Sequence, residues 1–469
     1  MVATWNPAAR STYYSRQRET DYYAGSTEPD GIWYAPAGDF GLAHASVVER
    51  TTFERLYAAL DSDGRSLLDN ARRHAERVPA FDITLSAPRS VAMAWGFASY
   101  DTKTLIEIAQ QRAAEATLAM LECEASFARR GRNGTLIERV PLTAATFQHG
   151  ESRPSIHADG RMFGDPNLHT HCVALNLSTR ADGTVGALHS KVLRDFKMAA
   201  GATYHATLAH ELQQTGFEIG RIGKNGIFEL AGVDEAAIRY FSARRAEIED
   251  ELADHGVSSA EAVALAAAVA KATRNAKRED ANERREDLWA EAAKSIGLDV
   301  EAFTESLRDT SRVLDHNAAE HLFRARIAQL PAALTEHESV FDRRDLVRAA
   351  TAALVGTGLP VERAGVEIDR LISRSAVIEI GRDAIGLPKY STLEMLSIER
   401  DVVAIAQTLS RRPWASIDRN VVADRCGTLG LSSEQVSAVV AASDASAIAI
   451  IEGAPGSGKA TTLQPLVAL

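Results

Sequence analysis

Pro166-Asn167-Leu168-His169-Thr170-His171-Cys172-Val173-Ala174-Leu175-Asn176 sets two histidines either side of one residue inside an apolar run. In a β-strand, residues i and i+2 project to the same face. The stretch therefore predicts a strand carrying the His169 and His171 imidazoles side by side. Two imidazoles on one face are a partial ligand set for a divalent metal and need a third group from elsewhere. The plain alternative is two histidines on the polar side of a half-buried strand, and a bare His-x-His does not decide between them.

Working outward, the run 141–153 (PLTAATFQHGESR) predicts a second strand, with Phe147 and His149 on opposite sides. The polar loop that follows holds His157, Gly160 and Gly164. Further upstream, Phe81-Asp82-Ile83-Thr84-Leu85-Ser86 alternates apolar and polar residues, the period-two signature of a strand. That alternation puts Asp82 on the polar face. There it is either a solvent-facing acid or, if the face lines a site, a general base or hydrogen-bond orienter. Residues 90–130 are expected as one helix, and 185–193 (VGALHSKVL) as a strand paired with the two-histidine strand. Residues 195–216 predict a helix ended by Gly216, and 217–230 a hairpin turning at Asn225-Gly226.

Tyr13-Tyr14 and Tyr22-Tyr23 place four tyrosines within eleven residues, in a chain with only ten. A tyrosine ring stacks on unpaired bases, and its phenoxide attacks phosphorus or carbon to form a covalent intermediate. Packing at the start of a helix would use the same doublets.

At 469 residues, with 45% hydrophobic and 25% charged residues, the chain is a globular protein of two or three domains. No run has the length of a membrane span, and the N-terminus lacks a secretory apolar core, so a cytoplasmic protein without membrane insertion is expected. Cys123, Cys172 and Cys426 are too few and too scattered for a disulfide framework. The net charge of −11 argues against a general nucleic-acid coat but not against a DNA enzyme with local basic patches.

Near the C-terminus, Ala447–Ile451 is expected as a buried strand leading into Gly453-Ala454-Pro455-Gly456-Ser457-Gly458-Lys459. This matches the phosphate-cradling loop in which backbone N–H groups and the lysine hold a nucleotide. Ala460 stands where the loop needs a Ser or Thr hydroxyl for Mg²⁺, and no later strand supplies an acid. ATP is thus a possible ligand, and its hydrolysis is not expected.

Together these pieces resemble the MobF-type conjugative relaxases, the relaxase–helicases of F-like plasmid transfer. The resemblance is carried by the doubled tyrosines, FDITLSAPRSV at 81–91, Phe147 to Arg153, Pro166 to Asn176, TYHATLAHEL at 203–212, Thr273-Arg274 with Lys277, and Trp289. It implies an α+β fold in which an antiparallel sheet carries an HUH-type metal site and is covered by helices. The resemblance also implies three domains: a strand-nicking domain over 1–310, a mainly helical connection over 311–425, and the start of a superfamily 1 helicase domain over 426–469. His149, His169 and His171 would hold a divalent metal, Mg²⁺ or Mn²⁺. His149 lies twenty residues before His169, farther than the family's usual dozen, so His157, twelve before, stays open as the alternative third ligand.

The implied chemistry is strand-specific nicking at an origin of transfer. Tyr13 would be the first nucleophile and Tyr22 the second, within the group Tyr13, Tyr14, Tyr22 and Tyr23, and Asp82 would be a proton acceptor or histidine orienter. Arg153 would contact DNA, and Gln435 in Leu431-Ser432-Ser433-Glu434-Gln435 would read adenine beside the Gly453, Gly456, Gly458 and Lys459 loop. Implied partners are single-stranded origin DNA, relaxosome accessory proteins and a type IV secretion coupling protein. The rival readings are a rolling-circle initiator or transposase-type nickase, a metal-dependent hydrolase using water, and a non-catalytic single-strand-binding remnant with a broken ATPase.

Overall fold

The computed structural model describes residues 3–8, 29–68, 77–131, 135–254, 285–311, 315–413, 417–443 and 446–467. Among the described residues, the strands up to Leu175 are, in chain order, β1 (Thr4–Pro7), β2 (Ile32–Tyr34), β3 (Ala80–Ser86), β4 (Phe127–Arg130), β5 (Leu136–Arg139), β6 (Ala144–Glu151), β7 (Ser155–Ile156), β8 (Met162–Phe163) and β9 (Pro166–Leu175). Five of them form one antiparallel sheet in the order β1-β3-β9-β6-β2. The two-histidine strand β9 is central, which is why it can be so apolar.

Among the helices of this part of the chain are α1 (Arg50–Tyr57), α2 (Arg89–Gly96), α3 (Tyr100–Ala125), α4 (Lys197–Gln214), α5 (Ala243–Asp254), α6 (Arg285–Ser295) and α7 (Arg343–Leu354). On one face, Trp33, Phe53, Leu56, Ala145, Val173 and Leu175 form an apolar cluster that Phe147 joins. Phe53 on α1 meets the Phe147 ring edge-on at 5.4 Å. The opposite face is covered by α2 and α3, and α3 packs along α4. Gly150 is required here: a Cβ would come within 2.1 Å of the Trp95 ring of α2, an overlap that close packing does not tolerate.

Several local expectations change. Residues 90–130 are not one helix. The chain breaks between Gly96 and Tyr100, so α2 and α3 each lay their own apolar stripe on the sheet, and Phe127–Arg130 leaves the helix to pair with Leu136–Arg139. Residues 185–193 do not pair with β9, because β3 and β6 already occupy both of its edges. Only Val185–Gly186 forms a ladder, with Ser178–Thr179, and a short helix starts at Ser190. Phe147 and His149 share one face, as residues two apart in a strand must. The hairpin 217–230 does turn at Asn225-Gly226, both with positive φ (59° and 75°), which Asn and Gly adopt most readily.

The chain divides into two compact units, residues 1–374 with 379–390, and residues 375–378 with 391–469. Within the first, packing does not break at residue 310, since α7 lies along α4. The second contains α8 (Leu393–Arg411), α9 (Arg419–Thr428), α10 (Ser433–Ala442) and α11 (Lys459–Val467). Val422, Cys426 and Val439 form its small core. The strand expected over 447–451 does not form. It has no ladder partner among the described residues, and Ile450 is 85% exposed. Among the described residues, no helix is long and apolar enough to cross a membrane.

Candidate metal centre

The ladder registers decide which side chains meet. On one side of β9, Thr84 pairs with His171 and Ser86 with His169. On the other side, Phe147 pairs with His171 and His149 with His169. Directly paired residues share a face, so His149, His169, His171, Thr84 and Asp82 all project from the same side of the sheet. The three imidazoles form a triangle with ring centroids 5.5, 5.3 and 5.1 Å apart.

Each ring of the His-x-His pair is oriented through Nδ1. The His171 Nδ1 proton is shared between both carboxylate oxygens of Asp82, at 3.0 and 2.9 Å. Thr84 Oγ1 donates to Asp82 Oδ1 at 3.3 Å and steadies that carboxylate. His169 Nδ1 donates to the Asn167 carbonyl at 2.7 Å, with the Asn167 side-chain amide 3.1 Å away. A proton held at Nδ1 leaves Nε2 as the lone-pair nitrogen, the form in which imidazole ligates a metal. Thr84 was within reach of the sequence, since it alternates with Asp82 on one strand. Asn167 was within reach in the same way, two residues before His169 on one strand.

Three neutral imidazoles on one face are a donor set of the kind that would suit a divalent cation. Among the described residues, no group of three or more His, Cys, Asp and Glu side chains is gathered tightly enough to hold a metal as it stands.

His157 belongs to a different environment. The residues that lengthen the spacing between His149 and His169 form the small β7–β8 hairpin. His157 stacks on Phe163 of that hairpin at 3.7 Å and lies 3.5 Å from Asp165 Oδ1, with both side chains buried. Burial pushes the Asp165 carboxyl above its usual range, against the opposing pull of buried Arg89. Trp289 of α6 donates from Nε1 to the Gly164 carbonyl at 2.7 Å and ties the end of the hairpin to the core. Cys172 lies fully buried beside His171 in sequence but on the other face, and burial pushes its thiol up, so it is an inert packing group.

The other expected site residues are dispersed. Tyr13, Tyr14, Tyr22 and Tyr23 lie outside the described residues, as do Thr273, Arg274 and Lys277. Arg153 lies two residues beyond the end of β6 and is half-buried. In the second compact unit, Gln435 is used in a capping box: it accepts from the Ser432 N–H at 3.0 Å, while Ser432 Oγ accepts from the Gln435 N–H at 3.3 Å. Lys459 folds over its own loop and donates to the Gly453 and Ala454 carbonyls at 2.7 and 3.0 Å. Gly456 and Gly458 both take positive φ.

A model of the TrwC relaxase family matches residues 7–296. The multifunctional conjugation protein TraI of Escherichia coli (strain K12) is 26% identical over 480 residues, which cover 97% of this chain and 25% of TraI. A second Escherichia coli TraI is 26% identical over 467 residues, covering 94% and 24%. The chain thus spans about a quarter of the length of these curated relatives. Among solved structures, the conjugative relaxase TrwC in complex with oriT DNA, metal-free, superposes with a TM-score of 0.53 at 29% identity, over 64% of this chain and 99% of that one. The metal-bound TrwC–oriT complex gives the same figures. TrwC complexed with a 27-mer DNA comprising the recognition hairpin and the cleavage site gives 0.51 at 30%.

Proposed function

The chain belongs to the TrwC relaxase family, the MobF type of conjugative relaxase, and on that premise we propose that it nicks one DNA strand at an origin of transfer through a covalent tyrosine intermediate. The observation that carries this reading is the meeting of His149 with His169 and His171 on one sheet face beside Asp82.

His149, His169 and His171 would hold one divalent cation, Mg²⁺ or Mn²⁺, which when bound polarises the non-bridging oxygens of the scissile phosphate. Asp82 fixes the His171 tautomer and raises its basicity. Tyr13 attacks phosphorus: its hydroxyl proton is lost to Asp82 or to solvent, the Tyr O–P bond forms, the P–O3′ bond breaks, and the leaving 3′ oxygen takes up one proton in exchange. The products are a 5′-phosphotyrosine and a free 3′-hydroxyl, and because bond energy is conserved, the reaction reverses to rejoin strands. Tyr22 would serve a second strand transfer, with Tyr14 and Tyr23 as its doublet neighbours, and Arg153 would contact a phosphate.

We assign nicking to residues 1–310, with 311–425 as a helical connection and 426–469 as the beginning of a P-loop helicase domain. There Gly453, Gly456, Gly458, Lys459 and Gln435 would receive ATP without hydrolysing it. The role brings single-stranded origin DNA, relaxosome accessory proteins and a type IV coupling protein as partners, in the cytoplasm.

The test is incubation with a labelled single-stranded oligonucleotide of the chain's own origin of transfer and Mn²⁺ or Mg²⁺. An SDS-stable adduct is expected, lost in Tyr13→Phe and kept in Tyr22→Phe. Cleavage without an adduct would overturn the tyrosine mechanism in favour of attack by water.

A further inference from the structure

The histidine strand is held from behind by a buried polar clamp. Thr170 stands between His169 and His171 and faces the other way, toward α3. There Gln110 of α3 donates from Nε2 to Thr170 Oγ1 at 2.9 Å and to the Leu85 carbonyl at 3.2 Å. Its Oε1 accepts from the Tyr204 hydroxyl of α4 at 2.5 Å. Gln110, Thr170 and Tyr204 are 0%, 3% and 1% exposed. Leu85 and Thr170 are directly paired, and their neighbours in the ladder are the Ser86–His169 and Thr84–His171 pairs. One amide therefore grips both strands at the rung between the two histidine rungs, and one tyrosine, from the 203–212 motif, holds that amide.

Apolar side chains would fill this space at less cost, because each buried polar group must be satisfied or it destabilises the fold. What a fully bonded amide adds is direction: it fixes where the rung sits relative to α3, whereas apolar packing permits sliding. We propose that Gln110, Tyr204 and Thr170 are positioning residues for the imidazole cluster, setting the backbone from which His169 and His171 converge on a metal. This rests on the metal-centre reading given above.

The experiment measures Mn²⁺ affinity of the full chain by electron paramagnetic resonance titration, with Mn²⁺ alone as the probe, alongside thermal unfolding in chelator. Tyr204→Phe and Thr170→Val each remove one hydroxyl and keep the packing volume, and both should weaken Mn²⁺ binding by about tenfold, the lower end of what orienting partners contribute. Thr170→Ser keeps the acceptor and should restore affinity to within about twofold of the unmodified chain. Ile368→Ala, in the helix Glu362–Ser373 and buried at 1% exposure, is a destabilised control whose Mn²⁺ affinity should not change. Unchanged affinity in Tyr204→Phe and Thr170→Val, or an equal loss in Ile368→Ala, would overturn the clamp. Absence of Mn²⁺ binding in the unmodified chain would instead remove the metal-centre reading, and the clamp with it.

Discussion

Asp82 shows how much one residue decides. It accepts from His171 through both oxygens and is itself held by Thr84. Asp82→Asn preserves size but presents an amide to Nδ1, which removes the charge and permits the wrong tautomer. Metal affinity should fall by about 10- to 100-fold while the fold persists. A Mn²⁺ titration with circular dichroism checks both halves of that expectation, and unchanged affinity would show that Asp82 has no part in metal binding. The aspartate was legible in the sequence because strand alternation places it on the polar face. Its partner was not, because a diagonal contact between two strands depends on their register, which lies in no single stretch.

Among the elements, the β4–β5 ribbon is where expectation and structure differ most, since its first strand reads as the tail of a helix. The ribbon forms because Phe127 to Arg130 find partners at Leu136 to Arg139, and it is anchored by Arg129, which donates to His189 Nε2 at 2.8 Å. That bond requires a neutral His189. Burial, with the Arg129 charge beside it, holds His189 below the usual histidine range. A lowered folded value means that the unfolded chain takes up the proton first. This stability is therefore complete above about pH 6.5 and is lost as pH falls through that value toward the lowered one. Thermal unfolding compared between about pH 7.5 and 5.5 should show a steeper loss in the unmodified chain than in His189→Gln, which keeps an acceptor for Arg129. Parallel slopes would refute the anchor. The β7–β8 hairpin is a second case: its residues lengthen the spacing from His149 to His169, yet it folds away from the site and takes His157 with it.

Across the whole molecule, a net charge of −11 must coexist with the proposed DNA binding. Affinity for a single strand then depends on a few local cations, and its salt dependence counts them. Each phosphate neutralised contributes a slope of about −0.7 in log K against log salt for single strands. Arg153→Ala should make the measured slope shallower by about that amount, and an unchanged slope would remove Arg153 from the interface. The sequence alone determined the strand that carries His169 and His171, the face on which Asp82 lies, and the family, because strand period and motif spacing are properties of neighbours in the chain. Only the tertiary structure decided that His149 rather than His157 joins the pair, that Gln110 grips the rung between the histidines, and that Gln435 caps a helix. Each of those depends on pairing register and on which surfaces bury one another, energies shared by residues as far apart in sequence as Gln110, Thr170 and Tyr204.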